Sequence, residues 1–193
     1  PFTIAGILLG IKDVYELCKS NPILVQQVLH KATEFLIDYC KAYKAMGIQG
    51  VVLCDPMAGQ LESNLVEKFS LIYIKNIINK LQDNGFIFLY HNCGNNIPYC
   101  IEQIRDIGAV GYSFGNSISL EKVAEYIPKD TIMLGNIDPF GTIRNGSSDA
   151  VRNSILELKE KLGDYKNFVP STGCDIPYDS PWENIKVFFD ACG

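Results

Sequence analysis

Residues Phe86-Ile-Phe-Leu-Tyr-His-Asn-Cys-Gly-Asn95, FIFLYHNCGN, decide how the chain is read. Five bulky apolar residues follow one another without a helical period and then give way to turn formers, the pattern of a short buried strand. The strand ends in His91, Asn92 and Cys93. On extended backbone, residues two apart point to the same side, so His91 and Cys93 are aimed together at one small ion or one reacting atom. Taken alone, such a pair is more often a packed thiol beside a hydrogen-bonded imidazole, and the rest of the sequence has to decide.

Outward from this strand the same unit repeats. Strands are predicted over 2–9, 49–54, 86–90, 109–114, 131–134 and 167–170, and helices over 13–20, 22–46, 64–84, 98–107, 120–126, 148–162 and 181–191. In the longest helix Val25, Leu29, Ala32, Leu36 and Tyr39 or Cys40 recur on one face. Gly47, Gly85, Gly108 and Gly163 stand where a helix stops before the next strand. Strict alternation through six βα units predicts a parallel sheet covered by helices, within a single α/β domain over 1–193.

Composition excludes several classes. A net charge of -5, with 14 Lys and 3 Arg scattered along the chain, offers no basic stripe to follow a phosphate backbone, so no nucleic-acid partner is expected. No apolar run reaches the ~20 residues that cross a bilayer, and no signal peptide opens the sequence, so no membrane is expected and a cytoplasmic protein is. Seven cysteines are an odd number in a chain too large to need disulfides, and none forms a Cys-x-x-Cys knuckle; they are read as reduced thiols. No Gly-x-Gly-x-x-Gly follows the first strand and no Gly-Lys-Ser/Thr occurs, which leaves dinucleotide and P-loop readings without support.

Parallel sheets carry their chemistry at the carboxyl ends of the strands. In chain order those ends present Asp55, His91 with Cys93, Ser113, Asn136 with Asp138, and Cys174. Cys174 lies in VPSTGCDIP, between Gly173 and Asp175, a poor place for a core thiol. Two thiols and one imidazole at one pole make a soft three-ligand set, the composition of a catalytic zinc site that keeps a fourth position open. Asp55 either supplies a carboxylate to the site or starts a turn, and Asp138 either faces the mouth or caps a turn before Pro139. His30 is read as solvated and Cys40, Cys100 and Cys192 as core, with Cys18 and Cys54 undecided. A Cys-His hydrolase with Cys93 or Cys174 as nucleophile is the other use of these residues.

FLYHNCGNN, LGNIDP and STGCDIPYDSPWENI, in this order and spacing, resemble the uroporphyrinogen decarboxylase superfamily in its methylcobamide:coenzyme M methyltransferase branch. PFTIAGILLG and VVLCDPMAGQLES extend the resemblance over essentially the whole chain. It implies a TIM-type (β/α)8 barrel, of which this chain holds the third to eighth units as an incomplete barrel. It also implies His91, Cys93 and Cys174 as zinc ligands, and transfer of a methyl group from a methylcorrinoid, held on a separate corrinoid carrier protein, to a small thiol such as coenzyme M. On that reading Asp55 and Asp138 orient the reactants, and Ser113 and Asn136 serve the cofactor side. One departure follows VGYSF, where the family commonly has an acidic residue and this chain has Gly115 and Asn116, which puts the contacts near Ser113 in question.

The rival within the superfamily is decarboxylation of a tetrapyrrole rich in carboxylates, which favours a cluster of arginines. Only Arg105, Arg144 and Arg152 are present, each on or beside a predicted helix. A non-catalytic zinc-binding module is the third reading. Six strands cannot close an eight-stranded barrel, so two open edges are expected, one lined by Phe2, Ile4, Ile7 and Leu9, with association as a homodimer to cover them.

Overall fold

Phe2–Leu9, expected as a strand, is a helix (α1). A continuous apolar run suits a buried strand and a buried helix equally, and periodicity does not separate them. What selects the helix is Asp55, far along the chain. Its carboxylate accepts hydrogen bonds from the backbone N–H groups of Phe2 (3.3 Å) and Thr3 (2.7 Å) and from Thr3 Oγ1 (2.8 Å), so it caps the helix from outside. Phe2, Ala5 and Gly6 are buried while Ile7 and Leu8 are exposed, a helical period. The six expected strands are therefore five, and no sheet edge exists at 2–9 to recruit a second copy.

The computed structural model describes residues 1–193, which divide into two units, Pro1–Val110 and Gly111–Gly193. The strands pair in parallel within each unit, two in the first and three in the second, and alternate with helices, which makes this an α/β fold.

In the first unit α1 is followed by α2 (Asp13–Ser20) and α3 (Pro22–Ala45). Asn21 caps α3 by accepting from Leu24 N–H, with Pro22 in the first turn where its missing N–H costs nothing. The buried face of α3 runs through Val25, Leu29, Ala32, Ile37 and Cys40, as predicted except that Ile37 replaces Leu36. Gly47 ends this region with φ of 82°. Strand β1 (Gly50–Cys54) leads through a 3₁₀ turn at Pro56–Gln60 into α4 (Ser63–Val66), which passes through a π-helical turn (Glu67–Leu71) into α5 (Ile72–Leu81). The wider π turn contains Ser70, whose hydroxyl donates to Asp55 Oδ2 at 2.7 Å. Strand β2 (Ile87–Asn92) pairs with β1, and α6 (Ile101–Arg105) follows.

The loops after β1 and β2 meet backbone to backbone. A Cβ on Gly94 would lie 2.3 Å from Gly59 carbonyl carbon, and one on Gly59 would lie 2.6 Å from Gly94 Cα. Asn96 N–H donates to Gly59 O at 3.1 Å across the same contact. Only glycine on both sides permits this approach.

In the second unit β3 (Gly111–Phe114), α7 (Leu120–Ala124), β4 (Ile132–Ile137), α8 (Ser148–Lys161), β5 (Phe168–Thr172) and α9 (Trp182–Cys192) alternate. Ile137, Ile143, Val151, Ile155, Phe188 and Ala191 form its core cluster. Asn184, 4% exposed, ties α9 to the turn after β4 by donating to Ile143 O and Gly146 O.

Two outcomes test this account. Asp55→Ala leaves the α1 cap and Ser70 without their buried charged partner and lowers stability by about 3 kcal/mol in urea unfolding, with amide exchange at Ala5 rising first. Gly94→Ala overpacks the loop contact and costs about 1–3 kcal/mol in the same measurement, although the residue carries no side chain to lose.

Candidate metal centre

Along β2 the side chains alternate. Phe88, Tyr90 and Asn92 are buried, whereas Ile87, Leu89 and His91 are half-buried on the other side. His91 is thus held at the end of the strand by the burial of its neighbours. Asn92, 1% exposed, fixes the turn that follows: its Nδ2 donates to Asp55 O (2.8 Å) and to Tyr90 Oη (2.9 Å), and its Oδ1 accepts from Gly94 N–H (2.9 Å). A side chain engaged at both ends between His91 and Cys93 sets the angle between them. Burial pushes the Tyr90 phenol well above its usual range, and the nearby Asp55 adds to the effect, so Tyr90 stays neutral beneath the site.

Cys174 is half-buried just past β5. Gly173 N–H donates to Ile137 O at 2.8 Å, and a Cβ on Gly173 would lie 2.4 Å from the backbone nitrogen of Asn116. The segment bearing Cys174 therefore rests on the main chain of the loop after β3. Asn136 steadies that loop, with Nδ2 donating to Gly115 O (2.9 Å) and Ile118 O (2.8 Å). Gly115 and Asn116, where the sequence departs from the family pattern, are thus packing positions. Asp138 accepts from the N–H groups of Phe140 (2.8 Å) and Gly141 (2.9 Å), the capping alternative of the two weighed from the sequence. Ser113 is half-buried on β3.

His91 and Cys93 at the end of β2 and Cys174 just past β5 are all half-buried. Two soft sulfurs and an imidazole are a donor set that suits a tetrahedral zinc ion, which takes ligands at ~2.0–2.3 Å. Asp55, by contrast, is fully buried, with its oxygens directed to α1 and Ser70. The remaining cysteines sort by burial: Cys18, Cys40 and Cys100 are buried, Cys192 is half-buried against the second core cluster, and Cys54 is exposed. Burial raises the Cys18 and Cys100 thiols to about 11. His30 is exposed and lies 3.5 Å from Glu34. Sequence reasoning missed Asn92, Ser70 and the Gly59–Gly94 contact; the one local signal was the polar Asn92 standing between two ligand types.

No helix is long and apolar enough to cross a membrane. Among curated proteins, the chain is 25% identical over 197 residues to the methylated-thiol–coenzyme M methyltransferase of Methanosarcina mazei, covering all of this chain and 50% of that protein. It is 27% identical over 201 residues to the uroporphyrinogen decarboxylase of Ruthia magnifica, covering 98% and 56%. The chain spans about half the length of the curated relatives it matches. A solved methyltransferase from Methanosarcina mazei superposes with a TM-score of 0.85 at 24% identity over 98% of this chain and 55% of that one, a likeness of fold. The family model for uroporphyrinogen decarboxylase (URO-D) matches residues 1–193, and the chain belongs to that family.

Proposed function

We propose that this chain belongs to a zinc-dependent methyltransferase that moves a methyl group from a methylcorrinoid, carried on a separate protein, to a small thiol such as coenzyme M. What supports this reading is the donor set of two thiols and one imidazole that His91, Cys93 and Cys174 place, half-buried, at the ends of β2 and β5. His91, Cys93 and Cys174 hold the metal, with Asn92 and the backbone rests at Gly94 and Gly173 keeping the three aligned. Zinc bound there supplies the Lewis acidity that turns a thiol of ordinary pKa, ~8.5 for cysteine, into a thiolate near neutral pH. The two cysteine thiolates already offset the charge of a divalent ion, so the substrate sulfur keeps its electron density. A thiolate held beside His91, Cys93 and Cys174 would take the methyl group, its new S–C bond replacing the bond by which the donor carried that carbon. Asp55 and Asp138 act by positioning, the first through α1 and the second through the turn after β4. Ser113 and Asn136 serve the corrinoid side, Asn136 by shaping the loop after β3.

Decarboxylation of a uroporphyrinogen finds less support. It calls for arginines gathered around carboxylates, and here Arg105 pairs with Asp106, Arg144 pairs with Asp179, and Arg152 is exposed on α8. The decarboxylase chemistry also has no use for a set of two thiols and an imidazole.

Elemental analysis of protein purified without added metal should find about one zinc per chain. Cys93→Ser and Cys174→Ser should each lose most of it and abolish methyl transfer from methylcobalamin to a small thiol, while Cys100→Ser retains both. Equal zinc retention in the three variants overturns the assignment. Alkylation by iodoacetamide at about pH 8 gives a separate check: zinc shields Cys93 and Cys174. Cys18 and Cys100 react slowly with or without metal, because a thiol raised to about 11 is only about 0.1% thiolate there.

A further inference from the structure

The helix that runs from α4 through the π turn into α5 buries three consecutive residues, Phe69, Ser70 and Leu71, which an α-helical period does not do. The wider turn carries Ser70 inward between two apolar neighbours, where a hydroxyl is tolerated only with a partner. That partner is Asp55, whose carboxylate oxygens are divided between elements. Oδ1 accepts from Thr3 N–H and Thr3 Oγ1, whereas Oδ2 accepts from Phe2 N–H at 3.3 Å and from Ser70 Oγ at 2.7 Å. Ser70 therefore holds the carboxylate from a second element, outside α1.

The main chain of Asp55 is in turn bonded to the end of β2. Its N–H donates to His91 O at 3.2 Å and its carbonyl oxygen accepts from Asn92 Nδ2 at 2.8 Å, while Asn92 Oδ1 accepts from Gly94 N–H at 2.9 Å. Ser70 and Asp55 are 0% exposed and Asn92 1%, so water does not compete for these bonds. All of these residues belong to the first unit.

We propose, resting on the metal reading above, that Ser70 is a positioning residue for His91 and Cys93, and that the π turn serves to place it. Single π turns inside α-helices occur frequently at functional sites. By fixing the Asp55 side chain, Ser70 fixes the two peptide groups of that residue, and these hold the strand end and the turn that carry the imidazole and the thiol. The helix of α4 and α5 is thereby coupled to the end of β2 through an unbroken series of hydrogen bonds.

The test uses the whole chain without added metal, with backbone amide exchange read in a double-mutant cycle of Ser70→Ala and Asp55→Asn. Ser70→Ala should speed exchange at Asp55 and Gly94 about tenfold, the size expected for loss of a hydrogen bond to a charged group, and leave Ile77 in α5 unchanged. Adding Ser70→Ala to Asp55→Asn should speed Gly94 little further, because the effect runs through Asp55. Unchanged exchange at Gly94, or a rise at Ile77 as large as that at Gly94, overturns the inference. If Asp55→Asn does not fold, Ser70→Thr replaces it in the comparison: with the hydroxyl kept, Gly94 should exchange at the wild-type rate, and exchange as fast as in Ser70→Ala overturns the inference. Methyl transfer from free methylcobalamin to 2-mercaptoethanol by the zinc-loaded chain is read separately, and Ser70→Ala should lower kcat about tenfold with the KM for the thiol unchanged. A wild-type chain that takes up no zinc overturns the metal reading, and with it the part assigned to Ser70.

Discussion

The period of two along β2 is the constraint from which the site follows. Phe88, Tyr90 and Asn92 leave water together: burying an apolar side chain such as Phe88 contributes about 1.5–3 kcal/mol, and the amide of Asn92 is tolerated there because it is hydrogen-bonded at both ends. A slip of one residue would expose all three and send His91 and Cys93 into the interior. The strand therefore cannot satisfy its hydrophobic side without presenting His91 on the other. Asn92 joins the two requirements, since it is buried with the apolar residues yet uses its amide to shape the turn that bears Cys93.

A second dependence runs through Asp55. Its side chain closes the start of α1 and holds Ser70 in the π turn, while its main-chain oxygen receives Asn92 and its N–H donates to His91 O. One residue thus couples a helix, a helical irregularity and the strand end that bears His91. Its burial argues that it acts on the chemistry through position, in contrast to His91, Cys93 and Cys174, which remain partly open to solvent.

Most strands were legible because they obey local rules: apolar runs bounded by turn formers, with glycines at 47 and 108 that do adopt positive φ where helices end. The candidate ligands His91, Cys93 and Cys174 stood out in the sequence because each is a distinctive residue type at a strand end. Phe2–Leu9 was not, since FTIAGILL carries no cap of its own and borrows one from Asp55. The 98–107 segment, predicted as one helix, breaks at Cys100 into a 3₁₀ turn and a short α-helix. The supporting contacts at Asn92, Ser70 and Asn116 were hidden for the same reason as the α1 cap, because each depends on a partner distant in sequence.

The approach of Gly59 to Gly94 limits how the site can be adjusted. Two main chains in direct contact have no side chain to trim or exchange, and every other residue type only adds atoms to a gap that is already closed. The spacing of these two loops is consequently a fixed dimension of the mouth. Variation in what the site accepts has to be written elsewhere, in loops such as those after β3 and β4, where amide side chains like Asn136 leave room for exchange.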